Sequence, residues 1–251
     1  MLSALRHSRW GRTPFVLLLA LVLWSSAESV QHILSGQYLQ AAKQRWGDQL
    51  EPMLATWAQL LQDGQQKQEH DKLVAVNTYF NQAVKFKSDA GHWSAEDYWA
   101  TPLETLGSQG GDCEDFVIAK YFSLLKMGVP QEKLRITYVK ALKLNQAHMV
   151  LAYYPSAKDD PYILDNLINR IELASKRRDL APVYSFNGGG LWLEREHGGS
   201  IRVGHPNRLN MWMDLLVRME EQGLRPLFEQ AASPLSNDIN SIRQQVQEAK
   251  P

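Results

Sequence analysis

The chain carries one cysteine, Cys113, in 251 residues. A lone thiol excludes an internal disulfide framework and any zinc site built from several thiolates. There is no excess of charge of either sign: lysine and arginine together number 27, as do aspartate and glutamate. That balance argues against a nucleic-acid partner recruited by bulk charge. Long apolar runs are scarce. The longest, Phe15 to Trp24, has ten residues, well short of the roughly 20 that a membrane-spanning helix needs. The chain also has no H-E-x-x-H zinc pair, no G-x-x-x-x-G-K-[ST] phosphate loop, no G-x-S-x-G elbow and no internal repeat. Without that elbow, His197-Gly198-Gly199-Ser200 reads as a hairpin turn rather than an oxyanion turn.

What is present points to an exported globular protein. Apolar residues make up 44% and charged residues 22% of the chain, which is neither a disordered nor a fibrous composition. Arg6, Arg9 and Arg12 precede the apolar run, and Ser25-Ser26-Ala27 follows it. This is the three-part plan of a secretory signal peptide over residues 1–27, with an uncleaved anchor as the rival reading. Removing it takes away three arginines and no acids and leaves a net charge of −3. No later stretch is apolar enough to span a bilayer, so the mature chain is expected outside the cytoplasm without stable membrane insertion. In an oxidising compartment an unpaired thiol is a liability. Cys113 is therefore either buried filler or a retained reactive group.

Residues 28–251 read as one α+β domain. A helical part covers about 37–87, a core about 88–195, and C-terminal helices about 205–250. The first part breaks near Gly47 and Pro52, with Asp48 as a candidate cap, and resumes from Lys72 after a polar turn. Residues 88–111 read as a loop with short helical turns at most, long enough to suggest function. Trp93 and Trp99 in it either cover the next helix or line a groove. That helix runs from Asp112 to Met127, with Phe116, Val117, Tyr121, Leu124 and Leu125 on its apolar side. The period then changes to two, predicting antiparallel strands over 136–142, 148–153 and 162–164 and a hairpin over 184–193. Helices return over 207–222 and 234–250. Lys176-Arg177-Arg178 reads as a solvated basic face.

Gly110-Gly111-Asp112-Cys113-Glu114-Asp115 opens the central helix. Cys113 falls at the first helical position, where free N–H groups and the helix dipole favour a thiolate. Asp112, Glu114 and Asp115 oppose it by like-charge repulsion, so a nucleophilic Cys113 needs something to offset them. A hard cation such as calcium would do so, because these side chains offer only oxygen ligands. The plainer alternative makes Asp112 and Asp115 a helix-cap pair and Cys113 a buried small side chain. Downstream, His148 begins an otherwise apolar strand and Asp165 ends the next one. Each alone reads as a core histidine and a turn cap. Together with a thiol at a helix start they make a Cys-His-Asp set, in which the acid holds the base in one tautomer.

The segments Gly111 to Phe116, Ala119 to Tyr121, His148 to Leu151 and Leu164 to Leu167, with Arg178 to Leu180 and Asn187 to Trp192, resemble the bacterial transglutaminase-like cysteine proteinases, and among them the LapG-type periplasmic proteases. The likeness covers roughly residues 75–195. It implies a papain/transglutaminase-like fold with Cys113 as nucleophile, His148 as general base and acid, and Asp165 orienting it. It also implies dependence on calcium held by Asp112, Glu114 and Asp115. The implied substrate is the N-terminal region of a large surface adhesin, cut near a di-alanine site so that biofilm disperses. The implied partner is an inner-membrane receptor that senses cyclic di-GMP and sequesters the protease. Two other outcomes stay open: acyl transfer to an amine, and a non-enzymatic calcium-binding adaptor with an inert thiol.

Overall fold

A computed structural model describes residues 36–195 and 199–227. The leader expected over 1–27, the helix expected over 234–250 and the His197-Gly198 part of the expected hairpin turn lie outside the described residues. Helices α1 (Gly36–Trp46) and α2 (Leu50–Gly64) are separated at Gly47, whose φ of +83° glycine adopts freely. Pro52 makes no break, because it sits in the first turn of α2 where no N–H is required. Asp48 does not cap α2. Gln49 occupies that position, and the Asp48 carboxylate pairs with Lys43 at 3.3 Å.

Helix α3 (Glu69–Ala83) begins earlier and ends earlier than the apolar spacing suggested. It ends because Lys85–Phe86 (β1) pairs in parallel with Gly110–Gly111 (β2), the strand that leads into Cys113. The segment expected to be loop holds more order than predicted. It contains the single turn α4 (Asp89–His92) and the helix α5 (Pro102–Ser108). A reciprocal Thr101–Glu104 capping box with Pro102 in the first turn nucleates α5.

Helix α6 (Cys113–Lys126) is buried on every side from Asp115 to Leu125, not along one face. Helices α2, α3 and α5 pack on one flank and strands β3 (Leu134–Ala141) and β4 (Gln146–Tyr153) on the other. Trp57 on α2 donates to Ser123 Oγ at 2.9 Å. Lys72 on α3 donates to the Met127 carbonyl at 2.7 Å, placing a cation where α6 ends. Trp212 of α7 (Asn210–Glu221) stacks on Phe122 with centroids 5.7 Å apart.

Seven strands form one antiparallel sheet in the order β6-β5-β4-β3-β7-β8-β9. The remaining members are β5 (Tyr162–Leu164), β6 (Glu172–Leu173), β7 (Leu180–Asn187), β8 (Gly190–Glu194) and β9 (Ser200–Gly204). Period two reveals β3, β4, β5 and the β7–β8 hairpin. It misses β6, which is two residues long, and the edge strand β9, whose Ile201, Arg202 and Val203 are all exposed. The pleat sorts the apolar residues. Ile136, Met149, Leu151, Leu164 and Phe186 join the main core with α6, while Val139, Val150, Ala152 and Ile163 form a smaller cluster. This is the α+β arrangement anticipated from the change of period. Among the described residues no helix is long and apolar enough to cross a membrane.

Candidate active site

Asp112 occupies the N-cap of α6 and Cys113 its first helical position. Asp115 reaches back across that turn. Its Oδ2 accepts the Asp112 N–H at 3.2 Å and its Oδ1 the Ala100 N–H at 2.7 Å. Gly111 is needed for this approach, because a Cβ there would run into the Asp115 carboxylate. The half-buried Cys113 thiol donates to Glu114 Oε2 at 2.9 Å. Burial pushes this thiol well above its ordinary value, and repulsion from Glu114 and Asp112 pushes it further. A hydrogen bond from the Met149 backbone works in the other direction. The helix start alone does not give a thiolate, and the conflict noted in the sequence is real.

Met149 follows His148 on β4, so the sulfur lies against the strand that carries the imidazole. His148 is buried and its Nε2 lies 2.8 Å from Asp165 Oδ1, just past the end of β5. The pairing of Leu151 with Leu164 brings the two residues together. Burial would raise the Asp165 carboxyl, but the hydrogen bonds from His148, the Leu167 backbone and Arg177 bring it down to about 2. An ionised Asp165 requires the proton on Nε2, which leaves Nδ1 as the acceptor. The turn-cap reading of Asp165 also holds, since Oδ1 accepts the Leu167 N–H at 3.0 Å.

The acidic residues extend beyond the three singled out in the sequence. Asp89 on α4 and Asp97 in the following loop join them. The sets Asp89–Asp112–Asp115 and Asp89–Asp97–Glu114 each bring one ligand atom per residue within 4.8 Å of the others. Asp89 Oδ2 accepts the Tyr98 N–H at 2.6 Å, while Asp89 Oδ1 and Asp112 Oδ1 are buried without a hydrogen-bond partner. Burial raises Asp112 to about 10, helped by repulsion from Glu114 and Asp115, and raises Asp89 to about 6, helped by Glu114 and Asp97. Asp97 and Asp115 are raised for the same reasons.

A family model described as the bacterial transglutaminase-like cysteine proteinases matches residues 56–179. The solved structure of Legionella pneumophila LapG, EGTA-treated, shares 40% identity over 76% of this chain and 97% of its own, with a TM-score of 0.65. The calcium-bound form of that protein shares 41% identity over 73% of this chain and 97% of its own, with a TM-score of 0.62. No curated protein sequence matches the chain. The chain belongs to the bacterial transglutaminase-like cysteine proteinases.

The geometry of this proteinase corrects one reading and adds others. Arg177, taken with its neighbours for a solvated face, is 3% exposed and donates to Asp165 Oδ2 at 2.7 Å. Trp99 belongs to the core, stacked on Phe186 with centroids 5.7 Å apart. The acid-bearing loop is held by Arg218 of α7, which donates to the Trp99 carbonyl at 2.6 Å, Tyr98 Oη at 2.9 Å and Glu104 Oε2 at 2.7 Å. Asp89 and Asp97 carried no periodic signal. Their position 24 and 16 residues ahead of Cys113, in a segment too long for a simple connection, was the one available hint.

Proposed function

We propose that this proteinase is a periplasmic, calcium-dependent endopeptidase that cuts the N-terminal region of a large surface adhesin, releasing it and dispersing biofilm. The carrying observation is the His148–Asp165 hydrogen bond on the strand that lies against the Cys113 sulfur. His148 Nδ1 takes the thiol proton, and the Cys113 sulfur attacks the peptide carbonyl carbon. The proton passes from His148 to the leaving amine as the C–N bond breaks, giving an acyl thioester. His148 then deprotonates water, which attacks the thioester, and the thiol and a new carboxylate are released. Asp165 keeps the imidazole in the required tautomer throughout.

The acidic cluster fits calcium. Its donors are all oxygen, and the unpartnered Oδ1 atoms of Asp89 and Asp112 are available to a hard cation. Asp112, Glu114 and Asp115 would hold it together with Asp89 and Asp97. When bound, calcium supplies the positive charge that offsets the carboxylates beside the thiol. The calcium-bound and EGTA-treated structures of the Legionella relative support the assignment. An inner-membrane receptor sensitive to cyclic di-GMP would sequester the enzyme when adhesion is wanted, in the compartment to which a secretory leader over 1–27 would deliver it.

The test is to incubate the mature chain with exported adhesin fragments, with calcium or with EGTA, and to weigh the products. Two fragments whose masses sum to the substrate plus 18 Da mean hydrolysis, whereas cross-linking with loss of ammonia would assign acyl transfer instead. Cys113→Ala and EGTA are each expected to abolish cleavage. Cleavage retained by Cys113→Ala would overturn the nucleophile. If Cys113 also resists iodoacetamide with and without calcium, the chain is a binding protein and not an enzyme.

A further inference from the structure

The side chain that orients the histidine is itself held by a buried cation. Asp165 divides its two oxygens: Oδ1 serves His148 and the Leu167 N–H, while Oδ2 accepts from Arg177 Nη2 at 2.7 Å. Arg177 is in turn anchored on Asp179, through Nε to Oδ1 at 3.1 Å and Nη2 to Oδ2 at 2.9 Å. The Asp179 carbonyl accepts the Leu142 N–H at 2.8 Å, which fixes the anchor to the end of the β3–β4 hairpin. We propose that Arg177, braced by Asp179, is a positioning residue that sets the rotation of the Asp165 carboxylate and so the direction of the hydrogen bond to His148. The inference rests on the protease reading above.

A structural ion pair is the competing account, and the geometry separates the two. The Asp165 backbone is secured independently, by Asn81 Nδ2 donating to its carbonyl at 2.8 Å. Arg177 is thus not what keeps the turn after β5 in place; its contact is with the carboxylate alone. Without it, the carboxylate has one neutral backbone donor and the imidazole to fix its rotation. With it, a guanidinium held in a planar fork by Asp179 occupies one oxygen and presents the other to His148. A small misalignment of a catalytic base costs far more in rate than in stability.

The test reads the hydrogen bond and the thiol separately, on the calcium-loaded chain. The His148 Nε2–H proton, bonded to a carboxylate, gives a far-downfield ring-proton resonance. The rate of Cys113 alkylation by iodoacetamide at neutral pH reports how well the imidazole serves the sulfur. In Arg177→Met the resonance is expected to vanish or move strongly upfield, and alkylation to slow by about 10- to 100-fold. Arg177→Lys, which keeps the charge and loses the fork, should fall between Arg177→Met and wild type. Asp179→Asn changes a partly exposed carboxylate and decides the matter if Arg177→Met does not fold; its resonance should broaden and its alkylation slow several-fold. An unchanged resonance and rate in a folded Arg177→Met, or in Asp179→Asn where the former does not fold, overturns the proposal. An inert Cys113 in the wild type, with the resonance present and sensitive to Arg177, overturns the protease reading and leaves the positioning role standing.

Discussion

His148 and Asp165 are 17 residues apart in the chain and meet at 2.8 Å, with both side chains almost wholly buried. His148 lies on β4 and Asp165 just past the end of β5, and the pairing of β4 with β5 is what brings them within reach. An imidazole in that setting has its tautomer decided by its partner. The carboxylate accepts, so the proton resides on Nε2 and the basic lone pair is at Nδ1.

Asp165→Asn keeps the shape of that partner and reverses its logic. An amide can turn its NH2 toward His148, donate to Nε2 and force the proton onto Nδ1. Proteolysis is expected to drop by about 10²- to 10⁴-fold with substrate binding little altered, as measured by kcat and KM. The acid profile should change too. Asp165 is held at about 2 in the folded chain, below its ordinary value of 3.8. A carboxyl depressed on folding stabilises the protein above its unfolded value and loses that contribution as pH falls through the folded one. Denaturant titrations of the wild type should therefore show a loss between about pH 4 and pH 2 that Asp165→Asn lacks.

The His148–Asp165 pair and the helix start at Cys113 were legible in the sequence because each residue sits where regular structure starts or stops: a glycine pair before a helix, a polar residue opening an apolar strand, an acid closing one. Such boundaries leave a mark in the pattern of side chains. Arg177 left none. It lies in a Lys-Arg-Arg triplet whose neighbours do face solvent, and only the tertiary contact with Asp165 and Asp179 separates it from them. Asp89 and Asp97 were equally silent, because the stretch from one to the other, with only a one-turn helix, has no period against which an acid stands out. The burial of α6 on all sides was missed for the opposite reason. Ile118, Ala119 and Phe122, outside the apolar side read from the sequence, are fully buried as well, because α2, α3 and α5 pack on α6 in addition to the sheet.

Asp89→Asn tests the acidic cluster at its silent member. Burial raises the Asp89 carboxyl to about 6, above its unfolded value, so its contribution to stability is present at low pH and lost as pH rises through 6. At neutral pH the charge is a burden in the metal-free chain. The amide oxygen can still accept the Tyr98 N–H that Asp89 Oδ2 accepts now. In EGTA at pH 7 the variant is expected to melt about 2–4 °C above wild type. In calcium the order should reverse, because a proposed ligand has been lost, and calorimetric titration should show weaker binding. A variant less stable than wild type in EGTA would mean that Asp89 is held for its hydrogen bond and not strained by its charge.

Lys120 offers a stability test away from the cluster. It lies fully buried on α6, donates to Asn77 Oδ1 at 2.8 Å, and burial brings it down to about 7, with the Asp165 charge opposing that shift. A lysine whose folded value is lowered stabilises the protein above its unfolded value, about 10.4, and loses that contribution as pH falls toward 7. Wild-type stability should therefore rise from pH 7 to pH 9.5. Lys120→Met has a side chain of similar length without an ionisable group, and the difference between the two proteins should shrink steadily over that range. At pH 7 the variant is expected to be the more stable of the two by about 1–3 kcal/mol, reduced by whatever the unpaired Asn77 oxygen costs. Parallel wild-type and Lys120→Met profiles in urea between pH 7 and 9.5 would show that Lys120 remains charged in the folded chain, sustained by Asp165. Asp165→Asn should then bring the lysine down, because it removes a charge that favours the protonated form.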